Sequence, residues 1–392
     1  MQFAEELVLA TSLDSFLVQE KQSVHSLFKE YYQFLKENGF KRVTEIEYNV
    51  DKPGTKSFLR AARLHPNTKF YLVNRILPGQ KRKFAQVPTK LVNPKKTPED
   101  DFFFEFENVT GQKVSGKSIL TSFADEPDWG MDHELWPIQE YGYGEIPYGK
   151  PEGEASKAAF HMQFQNEGIL IRKFVPGISD GMVKERVELF SRLSKLAFEK
   201  GHPYWGYRFS SWAAHYIQDL SQPYHSKALP TESTKYYLSF LFKSAEEKKQ
   251  FVKDTTQLLT NRHFLYEDFI SNALEKSYTT KDTLYSTLVS YLRDGDATYT
   301  KIKTPIELIE KIGSDSYGHA KQLDESITET FGPKLTLDPK YELDKDYTLN
   351  MTQIVNSLDK EKKDLILEEA GQDFLQTGIS SRTIILLNVP KK

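Results

Sequence analysis

Apolar and aromatic residues at Val24, Leu27, Phe28, Tyr31, Tyr32, Phe34 and Leu35 recur at helical spacing, which predicts a helix over 22–39 with Gly39 as its stop. From about 41 to 108 the pattern shortens to β-rich runs such as Phe70-Tyr71-Leu72-Val73 and Phe102-Phe103-Phe104-Glu105-Phe106, separated by turn and basic residues such as Pro94-Lys95-Lys96. Residues 124–160 are rich in Gly, Pro, Trp and Tyr and follow no period, as in a long structured loop of the kind that carries function. After Gly181 the helical period dominates, in segments near 181–200, 206–221, 233–260, 262–277, 281–294 and 304–331. Beyond Pro333 the pattern predicts a short extended stretch, Leu335-Thr336-Leu337, and a charged helix near 359–371. The expected fold is mainly α: a multi-helix bundle over 1–332 with a small β-containing insertion at about 41–110, and a C-terminal extension, 333–392, packed on it.

Inside the helical half lies the run His215-Tyr216-Ile217-Gln218-Asp219-Leu220-Ser221-Gln222-Pro223-Tyr224-His225, followed by His263-Phe264-Leu265-Tyr266-Glu267. Residues four apart share a helix face, so His215 with Asp219, and His263 with Glu267, can each pinch a cation. Pro223 stops the first helix and lets His225 turn back toward the same cavity. One such pair is a weak signal; two pairs on neighbouring helices plus a further histidine form a pattern that solvated helix faces rarely produce. The ordinary alternative is hydrogen-bonded core histidines with Glu267 facing water.

Composition narrows the chemistry. The 392 residues include no cysteine, so disulfides and thiolate ligands are excluded and any metal takes nitrogen and oxygen donors. A net charge of −3 with no long basic block excludes the electrostatic footprint of duplex nucleic-acid binding. Lys81-Arg82-Lys83 and Lys95-Lys96 are most simply solvated loops. No apolar run reaches the roughly 18 to 20 residues of a membrane span, so contact with a membrane would be peripheral. The stretch from Met1 to Leu7 carries two acids where a secretory signal has basic and then apolar residues.

Residues 212–225 and 263–267, with Phe123-Ala124-Asp125 and Ala158-Ala159-Phe160-His161, resemble the zinc-dependent bacterial phospholipases C, whose all-helical superfamily includes the single-strand-specific zinc nucleases. The resemblance spans roughly residues 114 to 300 and implies a phospholipase C/zinc nuclease-like bundle, a zinc hydrolase domain and a secreted or periplasmic location. It implies that Asp125, His161, His215 and Asp219 hold one zinc, that His225, His263 and Glu267 hold a second, and that Asp219 reaches a third. The family's N-terminal tryptophan is missing, since no Trp precedes Trp129, and His25 is the histidine left to join Asp219. Asp128 is the substitute for Asp125, and His133 for His161. His65, His202 and His319 are expected at surface, capping or acid-paired positions.

The implied activity is hydrolysis of a phosphodiester by metal-activated water, with Asp125 or Glu267 doubling as proton acceptor. His215-Tyr216 and Glu267 look like the phospholipases, which cleave a lipid headgroup; Ala124-Asp125-Glu126 looks like the nucleases, the alternative, which cleave single strands and 3'-nucleotides. A zinc-binding homologue without catalysis is a third expectation. Trp129, Trp136 and Tyr143 are candidate walls for the substrate, whereas Trp212, one turn before His215, is expected to pack in the core.

Overall fold

The computed structural model describes residues 5–40, 48–64, 71–75, 104–131, 158–168, 171–172, 181–232, 234–279, 283–294, 297–343, 346 and 349–390. The chain is mainly α-helical. Its elements are β1 (Leu7–Leu9), α1 (Leu13–Gln19), α2 (Lys21–Glu37), α3 (Thr55–Ala62), β2 (Tyr71–Arg75), β3 (Phe104–Asn108), β4 (Lys113–Ser115), α4 (Gly116–Phe123), α5 (Glu126–Gly130), α6 (Ala158–His161) and α7 (Val183–Glu199). They continue with α8 (Pro203–Ser221), a 3-10 turn (Pro223–His225), α9 (Thr234–Ser239), α10 (Ala245–Thr279), α11 (Thr283–Arg293), α12 (Pro305–Phe331), α13 (Pro333–Thr336), α14 (Met351–Ser357) and α15 (Lys360–Asn388).

Helix α8 is the centre of the molecule because it is apolar on nearly every face: Trp205, Phe209, Trp212, Ala213, Tyr216, Ile217 and Leu220 are all fully buried. Helices α4, α7, α12 and α15 pack around it. A first apolar core joins α1, α2, α3 and α7 to α8 through residues such as Phe16, Phe28, Phe58, Val187 and Phe209. A second, built from Leu265, Phe269, Leu288, Leu323, Ile327, Ile366 and Ala370, holds α10, α11, α12 and α15 together. His215 belongs to a helix of the first core and His263 to a helix of the second.

Helices α2, α7, α8, α11 and α12 stand close to their expected spans, and β2 and β3 pair antiparallel where the two β-rich runs were read. Four differences have physical causes. Thr55–Ala62, expected among β-rich runs, is a helix: Phe58, Leu59, Ala61 and Ala62 turn one buried face to the first core, and Arg63 in the left-handed region (φ 57°) ends it. The break expected near 260 is absent, and α10 runs unbroken from a capping box in which Ser244 N donates to Glu247 Oε2 at 2.7 Å and Glu247 N to Ser244 Oγ at 3.3 Å. Leu335-Thr336-Leu337 is not extended, because Pro333 after Gly332 (φ 79°) starts the short helix α13. The charged helix near 359–371 continues to Asn388, since Ile384 and Ile385 join the first core while Gly371 and Gly378 let α11 approach closely. A Cβ on Gly378 would lie 2.3 Å from the Leu292 carbonyl oxygen.

Candidate metal centre

The last turns of α8 carry His215 and Asp219 on one face, as the four-residue spacing requires. Against them stands His161 at the end of α6. Its Nδ1 lies 2.7 Å from Asp219 Oδ2 and 3.0 Å from His215 Nε2, while His215 Nε2 lies 3.1 Å from the same Asp219 oxygen. The carboxylate that completes this group is Asp128, whose Oδ1 is 3.6 Å from His161 Nδ1 and 3.5 Å from His215 Nε2. Asp125, the aspartate expected here, is in neither group and stands at the N-cap of α5, which Pro127 helps to start.

A buried ion pair fixes the helix that bears Asp128. Arg208 on α8 donates through Nη2 and, at 2.9 Å, through Nε to Glu126, and Trp212 Nε1 donates to Glu126 at 2.7 Å. Glu126 and Arg208 are both wholly buried, so α5 has one seat on α8. Trp212 is thus core, as expected. Arg208 is the signal of this anchor in the sequence, because a charge inside an apolar helix demands a buried partner.

A second group lies beside the first. His225 Nε2 is 2.9 Å from His263 Nε2, and His263 Nε2 is 2.8 Å from Glu267 Oε1, with Glu267 Oε1 3.8 Å from His225 Nε2. The Pro223–His225 turn delivers His225 back to the cavity as the sequence suggests. Its Nδ1 donates to the His161 carbonyl at 2.7 Å, which leaves Nε2 aimed at His263, and Gln163 N donates in return to the His225 carbonyl at 2.8 Å. The two groups therefore share a wall.

Below the second group, Asp324 on α12 accepts from Tyr224, from Thr231 and, at 2.9 Å, from Arg262 Nη1. Tyr224 and Arg262 are the chain neighbours of His225 and His263, so one buried carboxylate registers both ligand-bearing segments. Gln222 Nε2 reaches Glu267 Oε1 at 3.2 Å. None of these contacts has a short-range signature in the sequence.

Charge in the centre is polarised. Burial pushes the His215 imidazole down, but Asp219 and Asp128 outweigh it and hold it well above the ordinary histidine value. Burial likewise lowers His225, and Glu267 and Asp219 raise it further than burial lowers it. Asp219 is desolvated, yet His215 and His161 hold it far below the carboxylate range. Desolvation of Glu267 is outweighed in the same way by His263 and His225. Asp128, also desolvated, is lowered by His215 and His161. Ionised carboxylates beside converging imidazoles suit a divalent cation, which would take the place of the imidazole protons.

The geometry fits a metal ion. Nitrogen and oxygen donors about 2.0 to 2.2 Å from a tetrahedral zinc stand about 3.3 to 3.5 Å from one another, and the separations given above bracket that spacing. Asp128, His161 and His215 form one group able to hold a metal ion, and His225, His263 and Glu267 form the other. No family model, no curated protein and no solved structure matches this chain.

His25 is in neither group: it lies on α2 with its ring 6.1 Å from Tyr48, so Asp219 gains no third histidine from it among the described residues. His202 is the N-cap residue of α8, 3.4 Å from Glu20, and His319 pairs with Glu369 and Asp373. Trp136, Tyr143, His133 and His65 lie outside the described residues, as do the side chain of Trp129 and the basic runs at 81–83 and 95–96. Among the described residues no helix is long and apolar enough to cross a membrane.

Proposed function

We propose that this chain is a zinc-dependent phosphodiester hydrolase of phospholipase C-like activity, with one ion in each of the two groups. The observation that carries the reading is the pair of adjacent groups, each of two histidines and a carboxylate, joined where His225 Nδ1 bonds the His161 carbonyl. Structural zinc sites are usually closed sets of Cys and His, whereas open sets of His and carboxylate leave room for water and substrate. Zinc in these groups would supply charge neutralisation for phosphate oxygens and a water of lowered pKa.

The chain's own residues divide the remaining work. Asp219, with only 16% of its side chain exposed, is enclosed by His161 and His215 and serves to hold and orient. Asp128 and Glu267 have side chains 54% and 47% exposed, so these two carboxylates face the side from which water and substrate enter. Asp128 would accept a proton from an entering water, the role expected of Asp125 or Glu267. Phe264, stacked 5.7 Å from the His263 ring and partly exposed, offers an apolar edge beside the opening.

Lipid is the favoured substrate class on the phospholipase-like residues His215-Tyr216 and Glu267. Side-by-side assays of the zinc-loaded protein with phosphatidylcholine and with single-stranded DNA test it. Release of the phosphorylated headgroup is the expected result; hydrolysis of the polynucleotide alone would replace the lipid reading with the nuclease one.

A further inference from the structure

One cavity of about 300 Å³ opens beside the second group, between α10 and α15. Ile270 and Leu274 of α10 and Phe374 and Thr377 of α15 wall it, and Glu267 stands in its lining. Gln222, which bonds Glu267, lines it too, so the space is continuous with the candidate metal centre.

Its chemistry is selective. Among the described residues no lysine or arginine lines it, and its two acids are Glu267 and Asp373. Asp373 is already committed: it accepts from Tyr266 Oη at 2.6 Å and lies 2.8 Å from His319 Nδ1. An anionic occupant would meet these carboxylates without a counter-charge, and a strongly hydrated ion would lose its water against Ile270, Leu274 and Phe374. An uncharged, largely apolar group gains instead from leaving water.

We propose that the cavity receives an aromatic ring or short hydrocarbon chain esterified to the phosphate that meets the two metal-ligand groups. This rests on the phosphodiesterase reading. Part of the wall comes from α15, which lies beyond the span of residues 114–300 that resembles the zinc phospholipases, so selectivity for the ester group would be set by this chain's own C-terminal helix.

Calorimetric titration of the zinc-loaded protein with diphenyl phosphate and with dimethyl phosphate tests the pocket, with turnover of bis-p-nitrophenyl phosphate followed in parallel. Burying about 60 Å² of ring carbon corresponds to about tenfold in affinity, the preference expected for the diphenyl ester. Leu274→Arg and Phe374→Arg, each placing a charge in the cavity, should bring the ratio to about one. Equal affinities in the unaltered protein, or a preference that survives both substitutions, would overturn the pocket. Turnover without ring preference rejects the pocket and leaves the hydrolase reading standing; ring preference without turnover upholds the pocket and rejects the hydrolase reading.

Discussion

Asp128 reaches His161 and His215 because Glu126, two positions earlier, is pinned by Arg208 and Trp212, and that anchor fixes the direction in which α5 leaves α4. Asp128→Asn should therefore remove zinc from the first group, whereas Asp125→Asn should keep it, as metal analysis of the two variants would reveal; equal zinc loss in both would return the role to Asp125. Glu126→Gln leaves a wholly buried guanidinium without its counter-charge, and urea unfolding should show a loss of about 3 to 5 kcal/mol. At this scale the sequence is legible wherever helix geometry fixes the pair. His215 with Asp219 and His263 with Glu267 needed only their spacing. The choice between Asp125 and Asp128 was not legible, because it depends on where a five-residue helix begins and on a partner 82 residues away.

Helices that pack around the site are tied to one another. His319 on α12 has Asp373 Oδ1 2.8 Å from Nδ1 and bonds Glu369 through Nε2, both on α15. Burial lowers the His319 imidazole, but Asp373 and Glu369 raise it to about 9 from an ordinary 6.5. A folded-state value above the unfolded one gives stability that is whole below about 6.5 and is lost as pH rises through about 9. The stability advantage of the unaltered chain over His319→Gln, measured by thermal unfolding, should thus be large at pH 6 and small at pH 10; an advantage independent of pH would refute the charged tie. Element positions were legible for α2, α7, α8 and α12, where apolar period and length agree. They were not for α3, too short for its period to stand out, or for α10, whose capping box Ser244-Ala245-Glu246-Glu247 was the available start signal. The length of α15 is not legible because β-branched residues and Gly378 lower its helix propensity while packing on α8, α11 and α12 overrides it.

Over the whole molecule, the candidate metal centre sits where two apolar cores meet: α8 brings His215 and Asp219 from one, α10 brings His263 and Glu267 from the other, and the Pro223–His225 turn joins them. Such long-range assembly leaves little trace in local sequence, which is why Asp324, the buried link between Tyr224 and Arg262, could not be read from spacing alone. The most direct test is to strip the protein with chelator and titrate zinc back while following hydrolysis of bis-p-nitrophenyl phosphate, with His215→Ala alongside. Turnover that rises to a plateau at two zinc ions per chain, and is absent in His215→Ala, is the expected result. A chain that takes up no zinc, one that holds two ions and hydrolyses no phosphodiester, or a fully active His215→Ala variant would contradict it.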